Sequence, residues 1–335
     1  MKINVPDLTA GAALDFCIDV NNIEEIEGEE YYVDFGNVRT CDPFPMLIVS
    51  REIKRKREEF KHLPFYANNY SNTYAKHMKF YSACGLNLGD DVEFTKGNSN
   101  YSCITKFSVN QLKEEGRENL DIIQEVIEKK SKDMASIVAQ GNIEFRNWLA
   151  FVIRELMRNI PEHSKSDTIW YCAQYWPSYD LVELAILDEG VGIKESLSEN
   201  INHVHLIKTD EDAIRLSLEP GISGTMIENK TYLSQSEWDN SGYGLYMVSE
   251  MCAELNASFI LASGKSAVKV CKENGNIVYR SRGTNVHGTA IQIRIKPSAT
   301  VDYNEIRRKI VLRGEAKARK NSKAIHTASK SSRGF

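Results

Sequence analysis

The 335-residue sequence contains no run of about 18 apolar residues, so nothing in it reads as a membrane span. Its opening, Met1-Lys2-Ile3-Asn4-Val5-Pro6-Asp7, has an early acid and no apolar signal core. No two cysteines form C-x-x-C. The seven (Cys17, Cys41, Cys84, Cys103, Cys172, Cys252, Cys271) are odd in number and scattered, which argues against a zinc knuckle or a redox pair. A reducing cytoplasm is the expected compartment. Tandem repeats are absent, and low complexity is confined to the basic, Ser-containing end. What remains is a chain that is 42% apolar and 26% charged. That composition excludes a largely disordered, collagen-like or disulfide-scaffold protein. The length is enough for two ordinary domains.

The net charge of −4 conceals an asymmetry. Residues 302–335 hold ten Lys/Arg and three Asp/Glu, or +7, which leaves −11 on the remainder. A basic block of this kind reads as a disordered tail, either a solvated end or one that attracts an acidic partner such as nucleic acid.

Strand and helix signals alternate through residues 1–105. The run Tyr31-Tyr32-Val33-Asp34-Phe35 is a short strand ended by Gly36-Asn37. Residues 43–56 follow as a helix that buries Met46, Leu47, Ile48, Val49 and Ile53 and exposes Arg51, Lys54, Arg55 and Arg57. The run Leu63-Pro64-Phe65-Tyr66-Ala67 is the next strand, and residues 73–83 a second helix. Residues 106–141 read as a charged connecting helix with Leu120, Ile123, Ile127, Met134 and Val138 on its apolar stripe. A second region spans residues 142–300. It opens with a helix at 145–160 and strands at 167–175 and 181–188, then a polar stretch, 194–241, without strong periodicity. A helix at 245–255 and four short strands up to residue 295 complete it.

Four pieces of that second region carry chemistry. Glu155 and Asn159 are four apart and share a helix side otherwise occupied by Trp148, Leu149, Val152, Leu156 and Ile160. They are either solvent-facing polar residues or a Glu that orients water beside an Asn oxygen on Mg²⁺. Asp188 follows the apolar run Leu184-Ala185-Ile186-Leu187 and precedes Gly190-Val191-Gly192. A carboxylate there can accept a hydrogen bond from an exocyclic amine, and the glycines let the backbone approach a flat ring or a phosphate. It is equally an ordinary tight turn. Gly242-Tyr243-Gly244 opens a helix, and helix starts attract anions. Gly288-Thr289 places a hydroxyl on a late strand.

The series Glu155-x-x-x-Asn159, Asp188-x-Gly190-x-Gly192-Ile193, Gly242-x-Gly244-Leu245 and Gly288-Thr289, in that order, resembles the GHKL ATPase superfamily. That family includes gyrase B, histidine kinases, mismatch-repair ATPases and anti-sigma-factor kinases. The resemblance covers residues 142 to about 297. It implies a Bergerat-type α/β sandwich, a helical layer on a mixed, mainly antiparallel sheet. It also implies ATP and Mg²⁺ as cofactors. In that likeness Asn159 holds Mg²⁺ and Glu155 is the general base. Asp188 meets the adenine amino group, and Gly190 and Gly192 shape the base pocket. Gly242 and Gly244 meet the phosphates, Thr289 lines the adenine side, and residues 194–241 form a lid. Pro161 departs from the pattern. It should end or kink the helix, and His163 is then expected to point elsewhere. No phosphoacceptor His-Glu box precedes the region, and His62-Leu63-Pro64 lies in the wrong context, so histidine autophosphorylation is not expected.

Residues 32–47 resemble the strand-to-helix segment of STAS domains. That family has a hydroxyl phosphoacceptor at this turn. Here Asp42-Pro43-Phe44-Pro45 offers none, which implies a regulatory module that contacts a protein partner and is not itself phosphorylated. The expected organisation is an α/β (α+β) chain: a STAS-like domain (1–105), a connecting helix (106–141), an ATP-binding domain (142–300) and a disordered basic tail (301–335). The expected function is a nucleotide-gated switch with slow hydrolysis. The alternatives are a serine/threonine kinase of the anti-sigma type and a nucleotide-regulated binding protein without turnover. No membrane partner is expected, and dimerisation is left open.

Overall fold

The structure, a computed structural model, describes residues 1–86, 100–224, 242–297 and 301–329. The N-terminal unit alternates β1 (Lys2–Asn4), α1 (Ala10–Asn21), β2 (Tyr31–Asp34), α2 (Pro43–Glu59) and β3 (Phe65–Asn68), then two short helices, α3 (Thr73–His77) and α4 (Phe80–Ala83). Lys79, at positive φ, divides the helix expected over 73–83 in two. The three strands form a parallel sheet in the order β1-β2-β3.

Next come β4 (Tyr101–Ser108), α5 (Val109–Asn119), α6 (Ile123–Val138) and α7 (Ile143–Asn159). A π-helical turn, Ile160–Ser164, leads to β5 (Thr168–Trp176) and β6 (Leu181–Asp188). Then follow α8 (Gly192–Ser198), α9 (Asp210–Ser217), α10 (Gly244–Glu254), β7 (Ser258–Glu273), β8 (Asn276–Ile295) and α11 (Tyr303–Ala318). The second sheet has the order β4-β5-β6-β8-β7, and every pairing in it is antiparallel, where a mixed sheet was expected. The four short strands expected after α10 are one long hairpin. It turns at Asn274-Gly275, both at positive φ, as a tight two-residue hairpin requires.

Three layers result. The five-stranded sheet is buried on both faces, and the faces divide by strand period. In β6, Val182, Leu184 and Ile186 join the core with α6, α7 and α10, while Ala185 and Leu187 join the core of the N-terminal unit. Ala185, Ala262, Ala267 and Ala290 keep that second face low, so α1 and α2 can lie close to it. Helix α2 is therefore held between two sheets. Arg51, expected to be exposed, is buried, as are Glu52 and Lys56.

Three other expectations are corrected. The boundary at 105 cuts through β4, which pairs with β5. Residues 106–141 hold the end of β4 and two helices separated by Leu120 at positive φ, and α6 packs along α7. The basic end is not a disordered tail: α11 buries Tyr303, Ile310, Val311 and Ala318. Tyr303 stacks on Trp148 with ring centroids 5.7 Å apart. The reason is local. A helix needs only a narrow apolar stripe to dock, and Tyr303, Ile310 and Val311 supply one amid the charges. Beyond it, Ile325 N–H donates to the Gly221 carbonyl (2.8 Å) and its carbonyl accepts from the Tyr243 hydroxyl (3.1 Å). Residues 330–335 lie outside the described residues.

Residues 194–224 are not aperiodic. They contain most of α8, a 3-10 turn at Val204–Leu206, and α9, whose Thr209 and Asp212 form a reciprocal capping box. The rest of the expected lid, 225–241, lies outside the described residues. None of the seven cysteines is joined in a disulfide. Among the described residues no helix is long and apolar enough to cross a membrane.

Candidate nucleotide-binding site

Helix α7 sets the first wall. Glu155 and Asn159 stand one turn apart, with Leu156 and Ile160 beside them. Pro161 stops the α-helix, as its missing N–H requires, and the chain makes one π turn. That turn does not carry His163 away, contrary to expectation: His163 lines the cleft beside Asn159. Burial pushes its imidazole down to about 4, so it is neutral at physiological pH. Ser164, at the end of the turn, accepts Val191 N–H on its carbonyl (2.9 Å) and ties the turn to the loop after β6.

Strand register builds the floor. Asp188 at the end of β6 lies opposite Thr289 of β8, which in turn lies opposite Ser263 of β7. Asp188 is only 5% exposed. Its Oδ1 accepts Gly190 N–H (2.9 Å), and the hydroxyls of Ser164 and Thr289 lie beside its carboxylate. Burial pushes it up to about 7, against the opposing pull of those polar neighbours. The loop is packed so tightly that a Cβ on Gly190 would overlap the Ser164 backbone. Gly190 lines a second, polar cleft that adjoins the first at Ser164 and Gly192.

The remaining wall is the start of α10. Gly242 has φ +66°, and a Cβ there would overlap the backbone of Ile222. A Cβ on Gly244 would stand 3.3 Å from Glu155 Oε2 and 3.8 Å from Asn159 Oδ1. The missing side chain thus lets the helix start face the α7 pair directly. Tyr243, the N-cap, supplies no side-chain capping bond. Glu155 is 7% exposed and bonded by the Arg154 guanidinium (3.1 Å).

Asn159, Asp188, Gly192, Gly242, Gly244 and Thr289 line one cleft, with Glu155 against Gly244 at its edge. The cleft holds about 780 Å³ of space, part of it open to solvent. Ile160, Ile186, Ile193, Leu245 and Ile291 make its walls apolar. Two groups of polar residues thus border it: Asp188 with Thr289 on neighbouring strands, and Glu155 with Asn159 against Gly244. The Nδ2 of Asn159 is buried with no hydrogen-bond partner among the described residues. A buried amide without a partner is costly, and a ligand in the cleft would relieve it. The same residues hold no group of three or more His, Cys, Asp and Glu side chains fit for a metal.

Sequence reading missed His163, although the step of four from Glu155 to Asn159 continues to it. It also missed Ser217, Ile222 and Ser223, which line the cleft from the stretch read as aperiodic. No protein-family model matches the chain, and no curated protein matches it.

Proposed function

We propose that this cleft binds ATP with Mg²⁺ in the manner of GHKL proteins, and that the N-terminal unit is a STAS-like regulatory module built onto it. The observation that carries the reading is the pairing of Asp188 with Thr289 in one apolar cleft with Asn159 and Gly244, where Glu155 and Asn159 face the start of α10. A purine ring would lie between those apolar walls. Its exocyclic amine would donate to Asp188, with Thr289 and Ser164 hydroxyls beside it. Phosphates would meet the backbone N–H groups that open α10, where the helix dipole favours negative charge.

The residues present fit Mg²⁺ in one way. With no carboxylate cluster among the described residues, the ion would take one protein ligand, the Asn159 carboxamide oxygen, and complete its shell with phosphate oxygens and water. Its chemistry would be charge neutralisation on the phosphates. Glu155, oriented by Arg154, is the base that would accept a proton from the attacking hydroxyl of water. Slow hydrolysis would then time a switch whose two states differ in affinity for a protein partner.

Glu155→Ala should retain nucleotide and lose turnover by about 10²–10⁴-fold, the usual worth of a positioned base. The check is incubation with labelled ATP and Mg²⁺. Free phosphate supports hydrolysis, a labelled partner protein supports kinase transfer, and binding without either supports a switch lacking turnover. Equal phosphate release by wild type and variant removes Glu155 as the base.

A further inference from the structure

Two adjacent residues of α2 contact the segments that border Asp188. Arg51 is 5% exposed and Glu52 is 2% exposed. The Arg51 guanidinium lies 4.0 Å over the Trp170 ring of β5. Its Nε and Nη2 donate to Glu189 Oε1 at 3.0 and 2.7 Å, and its Nη1 donates to the Ala83 carbonyl at 3.2 Å. The other oxygen of Glu189 accepts Trp170 Nε1–H at 2.8 Å. Both oxygens of Glu189, the residue next to Asp188, are thus held by a stacked Arg and Trp.

Glu52 acts on the neighbouring strand, β8. Its Oε1 accepts His287 N–H (2.8 Å), and its Oε2 accepts from Asn21 Nδ2 and Arg55 Nε (3.0 Å each). Asn21 Nδ2 also donates to the Asn285 carbonyl (2.9 Å). This holds backbone 285–288, which presses on Asp188 so closely that a Cβ on Gly288 would overlap the Asp188 carbonyl. Two successive residues of α2 therefore hold the side chain that follows Asp188 and the β8 backbone packed against it.

We propose that Arg51 and Glu52 are positioning residues that set where Asp188 stands, so that the N-terminal unit forms part of the base-recognition end of the cleft. The inference rests on the adenine reading of that cleft. A carboxylate held in place can discriminate an amine from a carbonyl at the same ring position, because the wrong base leaves two acceptors facing each other. A carboxylate free to shift cannot. Arg51 cannot be replaced in kind by Lys, which lacks the planar fork and the stacking face.

The test uses the full chain and calorimetric titration with ATP·Mg²⁺ and GTP·Mg²⁺. Arg51→Met should lower the ATP-to-GTP affinity ratio by about tenfold or more. Arg51→Lys should lie between the two, and it is the variant to read if Arg51→Met does not fold. The control is Arg294→Met. Arg294 pairs with Asp42 across the same interface at the far end of β6, so its loss should cost stability and leave the ratio intact. A wild-type ratio in the Arg51 variant that folds overturns the proposal. If wild type binds neither nucleotide, the adenine reading fails by itself, and positioning is then judged by hydrogen exchange in the free protein. Faster exchange at Gly190 and Ile193 in the Arg51 variant than in Arg294→Met supports positioning; equal exchange overturns it.

Discussion

Strand β6 carries a buried carboxylate at each end, and the two ends are different places. Glu183 is fully buried on the face toward α2. It accepts Phe44 N–H (3.0 Å) and lies 3.2 Å from the Arg294 guanidinium, which also binds Asp42 (2.9 Å). Asp188, five residues on, faces the other way. It accepts one backbone N–H, has two hydroxyls beside it, and borders the cleft. Burial pushes both carboxyls up to about 7. A displaced pKa therefore does not mark a site. What separates the two is the nature of the partners: a guanidinium and a helix start seal Glu183 between layers, whereas hydroxyls leave Asp188 able to receive a further donor.

The largest expected effect is structural. Glu183→Ala leaves the Phe44 N–H and the Arg294–Asp42 pair without their buried partner and should cost about 3–5 kcal/mol. Urea unfolding measures it, and the surviving folded fraction should bind ATP as wild type does. Loss of ATP affinity at unchanged stability would erase the distinction between the two ends.

The pH dependence of stability comes next. Between their ordinary values of 4.5 and 3.8 and about 7, Glu183 and Asp188 hold protons in the folded chain that the unfolded chain releases. Stability contributed by these groups thus falls as pH rises through that window. Glu183→Gln should remove its share, on the order of 3 kcal/mol between about pH 5 and about pH 8. Unfolding curves that shift with pH as in wild type would show that Glu183 does not titrate there.

Asp188→Asn should weaken ATP by about 1–3 kcal/mol, since a carboxamide N–H can face the purine amine, while leaving the fold intact. Calorimetry on a folded variant with unchanged affinity would sink the adenine assignment. The smallest effect sharpens it. Wild-type affinity for ATP should rise as pH passes upward through about 7 and Asp188 ionises, and Asp188→Asn should be flat over the same range. A matching slope in both would place the titration elsewhere.

The legible parts of this protein were those governed by short spacing. The step from Glu155 to Asn159 is one helical turn, Pro161 ends α7 for want of an N–H, and Gly190 and Gly242 stand where backbones approach too closely for any Cβ. The same local logic failed at the C-terminal end. There the count of Lys and Arg outweighed the sparse stripe of Tyr303, Ile310 and Val311, and disorder was expected where α11 docks. It failed again at residues 194–224, where a cap such as Thr209 with Asp212 was a better helix signal than periodicity.

By itself, then, the sequence determined which segments are helix and strand at the centre of the cleft and which residue types stand at their ends, because those follow from periods of two and four and from the backbone limits of Pro and Gly. Only the tertiary structure decided that Thr289 lies beside Asp188, one hundred and one residues apart, since strand register depends on pairing across the whole sheet. It also decided that Arg51 and Glu52 are interior. A charged helix face is read as solvent-facing until a second sheet covers it, and the sheet that covers α2 is formed by strands that begin more than forty residues later in the chain.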